Sequence, residues 1–191
     1  MNINLLYQTL ERIGNLLRAE QRLSGKALGL QEVHLQVLLY LSLCNRYSNT
    51  PVAITEYLNA TKGTVSQSLK ILETKGYIDK QADVDDKRVV RVNLTAQGKQ
   101  IVNEIIPPPI VAETIEGLSS EQVKDIQHNL TLLLISLQRA NQLRSFGVCQ
   151  TCRFFTKEKN GFRCGLTKEP LSKYDSSRIC REHEQNRAIV Q

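Results

Sequence analysis

Apolar positions recur at three- and four-residue steps along most of this chain, the spacing of one helical face. Ile3, Leu6, Leu10, Ile13 and Leu17 predict a first helix over about residues 1–24, ending near Ser24-Gly25. Val33, Val37, Leu38, Leu41 and Cys44 predict a second from about Gln31 to Arg46. Ser48-Asn49-Thr50-Pro51 then breaks the chain. Pro51 suits the first turn of a short helix to about Leu58. After the tight connection Ala60-Thr61, Val65, Leu69 and Leu72 mark one face of a helix from Lys62 to Lys75, stopped by Gly76.

Beyond Gly76 the period drops to two. Tyr77–Gln81 and Val89–Leu94 read as strands, joined by the polar tip Ala82-Asp83-Val84-Asp85-Asp86-Lys87-Arg88. Thr95 is placed to cap a helix beginning near Ala96, which must break at Pro107-Pro108-Pro109, where three backbone donors are missing. Ser119 with Gln122 forms a capping box for a last long helix, with Val123, Ile126, Leu130, Leu133 and Leu137 on its face and an expected end near Arg144. Phe146-Gly147 divides this helical body from a cysteine-rich tail.

Two short helices, a tight turn and a two-stranded hairpin with a charged tip make a winged helix-turn-helix, and its chemistry suits duplex DNA. A helix fits the major groove, where its outward side chains meet base edges and phosphates. Thr61, Lys62, Thr64, Ser66, Gln67, Ser68 and Lys70 are the candidate contacts on the second helix. Lys87 and Arg88 at the hairpin tip are placed for a neighbouring minor groove or backbone, with Asp86 orienting Arg88 by a charge-assisted bond. Asp83 and Asp85 would repel phosphate and are read as turn-shaping residues.

From Ile54 to Gly98 the motifs TxxTVSQSLKxLExKGYI, DxxDKR and LTxxG resemble the DNA-binding core of the MarR family of bacterial regulators. With the helical frame on both sides, the resemblance spans roughly residues 1–145. It implies an obligate dimer with intertwined first and last helices, a recognition helix at Lys62 to Lys75, and Arg88 in the minor groove. It also implies a transcriptional regulator, often a repressor, of a short pseudo-palindromic operator. The fold expected is therefore mainly α with a small β-hairpin wing. The divisions are a winged-helix domain over 1–147 (dimerisation helices about 1–24 and 110–145, DNA-binding core about 51–98) and a small module over 148–191.

The tail departs from that family layout. It reads Cys149-x2-Cys152-x11-Cys164-x15-Cys180-x2-His183. The first pair can chelate one ion from a single turn, and two further thiols close a tetrahedral site. So few large apolar residues accompany them that a bound centre would supply much of the folding free energy. Zinc is the expected ion; a [4Fe–4S] cluster is the alternative, with Phe154, Phe155 and Phe162 to shield it, and would make the chain a redox, oxygen or iron sensor. His183 is read as a nearby surface residue rather than a ligand. Cys44 is read as a buried core thiol, with Tyr40 and Tyr47 leaving a peroxide-sensing role open.

Composition changes the picture little. The 191 residues carry 25 Lys and Arg against 19 Asp and Glu, a formal net charge of +6. Residues 62–91 have only 7 basic against 5 acidic residues, and the excess lies mainly in the tail, with 9 against 5. The DNA assignment thus rests on pattern rather than on bulk charge. No apolar run approaches the roughly 20 residues of a membrane span, and the first residues do not resemble an export signal, so a cytoplasmic protein is expected. No nucleotide-binding glycine motif, catalytic triad or paired carboxylates argue for an enzyme. The remaining readings are an adaptor that does not bind DNA and a thiol redox protein. Expected partners are operator DNA, a second copy of the chain and a small-molecule or redox effector, with no membrane.

Overall fold

The computed structural model describes residues 3–142, 144–159 and 161–185. The expected spans 1–24, 110–145 and 148–191 extend onto residues 1–2, 143, 160 and 186–191, which lie outside the described residues. In chain order the elements are α1 (Ile3–Leu28), α2 (Glu32–Leu43), α3 (Pro51–Leu58), α4 (Lys62–Thr74), β1 (Ile78–Ala82), β2 (Val90–Leu94), α5 (Ala96–Ile105), α6 (Pro109–Glu116) and α7 (Ser120–Ala140). The tail adds a single 3-10 turn (Cys149–Thr151), β3 (Phe155–Glu158), β4 (Gly161–Cys164), β5 (Pro170–Leu171) and α8 (Lys173–Ser176). Among the described residues no helix is long and apolar enough to cross a membrane.

The core gathers the apolar faces of α2, α3, α4 and α5 over the hairpin. Val37, Leu38, Tyr40, Ala53, Ile54, Val65, Leu69, Leu72, Ile78 and Val92 are buried together. The hairpin is antiparallel, with Ile78 opposite Leu94 and Ala82 opposite Val90. Strand β2 is also fastened to the α2–α3 connection, since Val92 N–H donates to the Asn49 carbonyl at 2.7 Å.

The LTxxG motif has a local physical cause. Thr95 caps α5 by accepting from Gly98 N–H at 3.1 Å, while its own hydroxyl donates to the Gly76 carbonyl at 2.6 Å. The first turn of α5 therefore lies against the start of the hairpin. A Cβ on Gly98 would stand 2.0 Å from the Tyr77 carbonyl oxygen, so only glycine fits.

Several boundaries differ from the sequence expectation. Helix α1 continues past Gly25 to Leu28, because Gly25 is buried against Leu30 rather than ending the helix. Helix α2 stops at Leu43, where Cys44 turns into an extended conformation to bridge Ile179. Within the expected dimerisation region 110–145, α6 is capped at Gly117 and α7 starts at the Ser119 box as expected, with bonds of 3.2 and 2.9 Å. Helix α7 ends at Ala140 instead of near Arg144.

The largest difference concerns Phe146. It does not divide two bodies but is buried in the winged-helix core, edge-on to Tyr40 and Tyr57 at 6.1 and 5.2 Å. The tail consequently folds back onto the α2–α3 connection. Ile179 N–H donates to the Leu43 carbonyl at 3.0 Å, and Asn45 N–H donates to the Ile179 carbonyl at 2.9 Å.

Candidate nucleic-acid interface and cysteine tail

Thr61 opens α4 as its N-cap, accepting from Thr64 N–H at 3.1 Å with its hydroxyl 2.9 Å from that of Thr64. This bond leaves Lys62 and Thr64 exposed at the helix start, where backbone N–H groups favour anions. Ser66, Gln67 and Lys70 are exposed on the same outward face, away from Val65, Leu69 and Leu72. Ser68 is the exception and corrects the sequence reading. It is 2% exposed, its hydroxyl donates to the Thr64 carbonyl at 2.8 Å, and it faces the core one turn from Val65 and Leu72.

The wing tip is built from its acidic residues. Asp83 accepts backbone N–H bonds from Asp85 at 3.0 Å and Asp86 at 3.1 Å, and takes the Arg91 Nε hydrogen at 2.6 Å. These bonds hold its carboxyl at about 2, the Asp86 N–H first and the Arg91 guanidinium next. Asp86 grips the Arg88 side chain, which donates from Nε to Oδ1 at 2.9 Å and to Oδ2 at 3.3 Å and from Nη2 to Oδ2 at 2.8 Å, as the spacing suggested. The Arg88 bond lowers the Asp86 carboxyl. Arg88 itself is 90% exposed and Lys87 beside it is exposed, so two cations project from a braced turn. Val84 stands 91% exposed at the same tip and was missed as a candidate. An apolar residue inside a run of acids was the available signal, since apolar side chains also serve at minor-groove contacts.

The four tail cysteines are carried by three pieces of backbone that converge. Cys149 starts the 3-10 turn and Cys152 leaves it, with Cys152 N–H donating to the Cys149 carbonyl at 3.0 Å. Cys164 ends β4 opposite Phe155, whose ring lies 5.1 Å from that of Phe162. Cys180 is held by its N–H to the Gly147 carbonyl at 2.9 Å. Burial and the neighbouring Cys180, Cys152 and Cys164 push the Cys149 thiol up to about 12. All five cysteines are free thiols. As the side chains stand, no group of three or more His, Cys, Asp or Glu among the described residues is set closely enough to hold a metal ion. Cys149, Cys164 and Cys180 line a cleft of about 550 Å³ whose far wall includes Tyr47, Arg88 and Arg91 of the connection and wing.

His183 is buried, not a surface residue. Its Nδ1 lies 2.7 Å from the Ser145 hydroxyl and its Nε2 3.0 Å from that of Thr151, so both ring nitrogens are engaged. Burial lowers its pKa. Gly147 permits this packing, because a Cβ there would fall 2.5 Å from the imidazole. Cys44 is buried as expected, and burial pushes its thiol up to about 12. The Tyr47 hydroxyl donates to the Pro170 carbonyl at 2.8 Å.

Residues 30–98 match the family model described as a winged helix DNA-binding domain. A MarR transcriptional regulator from Methanosarcina mazei superposes with a TM-score of 0.61 at 18% identity, covering 72% of this chain and 99% of that one. The fold is that of the MarR-type winged-helix regulators. FabT of Streptococcus pneumoniae, solved in complex with DNA, is 25% identical with a TM-score of 0.56, over 72% of this chain and 97% of its own. The transcriptional repressor MprA of Escherichia coli is 26% identical over 125 residues, which are 64% of this chain and 69% of the relative.

Proposed function

We propose that this chain is a sequence-specific, DNA-binding transcriptional regulator of the MarR type that represses its target as a homodimer in the cytoplasm. The observation that carries the reading is Arg88, held by Asp86 at the tip of a braced wing beside the outward face of α4. In this reading α4 enters the major groove. Thr61, Lys62 and Thr64 meet phosphates, while Ser66, Gln67 and Lys70 meet phosphates or base edges. Arg88 then reaches the neighbouring minor groove, and Lys87 neutralises a phosphate. FabT, captured with DNA, and MprA, a repressor, support the assignment by similarity.

Dimerisation is supported by two apolar faces left exposed among the described residues. On α7, Ile126, Leu130, Leu134 and Leu137 are exposed, and no residue of that helix is buried. On α1, Ile3, Leu6, Ile13 and Leu17 are exposed likewise. Helices of 21 and 26 residues with open apolar stripes are suited to pairing with a second copy.

The finer part of the proposal is zinc on Cys149, Cys152, Cys164 and Cys180. Four free thiols on converging backbone form a soft donor set that suits zinc and would supply folding free energy to a module with little core of its own. The side chains would have to rotate inward to close the site.

The test is a binding selection. Full-length protein is incubated with a random-sequence duplex pool, and enrichment of a pseudo-palindromic sequence is expected; no enrichment overturns the reading. Elemental analysis of the anaerobically purified protein is expected to return one zinc per chain with no absorbance near 400 nm. A brown sample would replace zinc by an iron–sulfur cluster, and a metal-free one would remove the centre altogether.

A further inference from the structure

The tail is joined to the DNA-binding unit through charge as well as packing. Glu56 lies on α3, the first helix of the helix-turn-helix, and its carboxylate takes two bonds from Arg181, at 2.8 and 2.7 Å. Arg181 directly follows Cys180, and its N–H donates to the Ser48 hydroxyl at 2.9 Å. Arg144, just beyond the end of α7, lies 3.1 Å from the same Glu56 carboxylate. Glu182 closes the ring by pairing with Arg144 at 2.8 Å and Arg181 at 3.1 Å. Four charges thus meet where the helix-turn-helix, the α7 exit and the cysteine tail come together.

A second path runs from the tail to the wing. The bracket that Ile179 makes with Leu43 and Asn45 sets the start of the α2–α3 connection. Two residues on, the Tyr47 carbonyl accepts from Arg91 Nη1 at 2.9 Å, and Arg91 in turn holds Asp83 of the wing tip. The connection therefore carries the tail on one side and the base of the wing on the other.

We infer that the cysteine tail is a brace that sets the DNA-binding competence of the winged helix, with the Glu56–Arg181 pair as its principal joint, so that disturbing the cysteine centre lowers DNA affinity at a distance. The inference rests on the reading of α4 and the wing as the DNA interface. It gives Glu56 a role opposite in sign to its charge. A carboxylate on a DNA-binding unit repels phosphate, so neutralising it would by itself tighten binding. A brace requires the reverse, because Glu56→Gln releases Arg181 and Arg144 together.

The measurement is fluorescence anisotropy of full-length protein against the duplex that the wild type enriches, with thermal melting and zinc content recorded for each variant. Glu56→Gln and Arg181→Ala are each expected to weaken binding by about fivefold or more, the range of ordinary coupling between sites. Zinc content and a cooperative melt are retained in both. Cys152→Ser is expected to weaken binding to a similar degree, with little further loss when combined with Arg181→Ala. Unchanged or tighter binding by Glu56→Gln overturns the brace. Weaker binding by Arg181→Ala alongside tighter binding by Glu56→Gln also overturns it, since Arg181 would then touch DNA directly. Should Glu56→Gln fail to fold, Arg181→Lys, expected to recover part of the affinity lost in Arg181→Ala, decides the matter; no recovery counts against the joint. A wild type that enriches no duplex brings down the DNA-binding reading itself, whereas one that binds DNA but holds no metal removes only the zinc proposal and leaves the Glu56 and Arg181 outcomes decisive.

Discussion

Arg91 and Asp83 are joined at 2.6 Å across the base of the wing, and Arg91 is at the same time bonded to the Tyr47 carbonyl at 2.9 Å. One guanidinium thereby fixes the tip turn and ties it to the α2–α3 connection. The Asp83 carboxyl, held at about 2 against an ordinary 3.8, should keep this joint intact across the neutral and mildly acidic range. Because the folded value is the depressed one, the contribution is fully present above about pH 4 and is lost as pH falls toward 2. A carbon-13 NMR titration of the side-chain carboxyl is expected to place the midpoint near 2; a midpoint near 3.8 would mean that the joint does not form in solution.

Ser68 and Gln67 are neighbours with opposite assignments. Ser68→Ala removes one buried bond to the Thr64 carbonyl, which should cost about 1 kcal/mol of stability and leave sequence preference alone. Gln67→Ala should leave the melting temperature unchanged and relax discrimination at one base pair by about 1–3 kcal/mol. Melting curves and competition binding with single-base variants of the selected duplex separate the two; the reverse pattern would put the face of α4 in error.

Much of this was legible locally. The cap at Thr95, the box at Ser119 and Gln122, and the Asp86–Arg88 clasp each depend on residues within three positions of one another. Ser68 was misplaced because its residue type spoke for contact, although its position, three after Val65 and four before Leu72, lies on the apolar stripe. The docking of the tail had no local sign. Glu56 and Arg181 stand 125 positions apart, and a surface glutamate and a surface arginine look alike in sequence whether paired or solvated. Phe146 and His183 were misread for a related reason. Each is buried by a segment arriving from elsewhere in the chain, and Gly147 makes room for it.

Gly98 and Gly63 should respond in opposite directions to the same substitution. Gly98→Ala drives a Cβ to within 2.0 Å of backbone and is expected to destabilise by more than about 2 kcal/mol. Gly63, in the exposed first turn of α4, meets nothing closer than 3.8 Å, and Gly63→Ala should stabilise by about 0.5–1 kcal/mol. Denaturant titrations read both values, and a Gly98→Ala protein as stable as the wild type would contradict the close approach of α5 to the hairpin.

The proposed dimer uses the open faces of α1 and α7 as its seam. Leu130 and Leu137 are 48% and 55% exposed in the single chain. The double variant Leu130→Glu with Leu137→Glu places charge in the proposed seam, and light scattering is expected to show the wild type at twice the 21.6 kDa chain mass and the variant at or near it. A wild type that scatters as a monomer would show that these faces have another use.

The central claim is that the wing and α4 read DNA, and Arg88→Ala tests it most directly. The side chain is 90% exposed, and among the described residues its hydrogen bonds go to Asp86, so its removal should leave the melting temperature unchanged. Anisotropy titrations with the selected duplex across a salt series are expected to show affinity lowered by about tenfold or more and a salt slope reduced by about one. Wild-type affinity and an unchanged slope in Arg88→Ala would contradict the account.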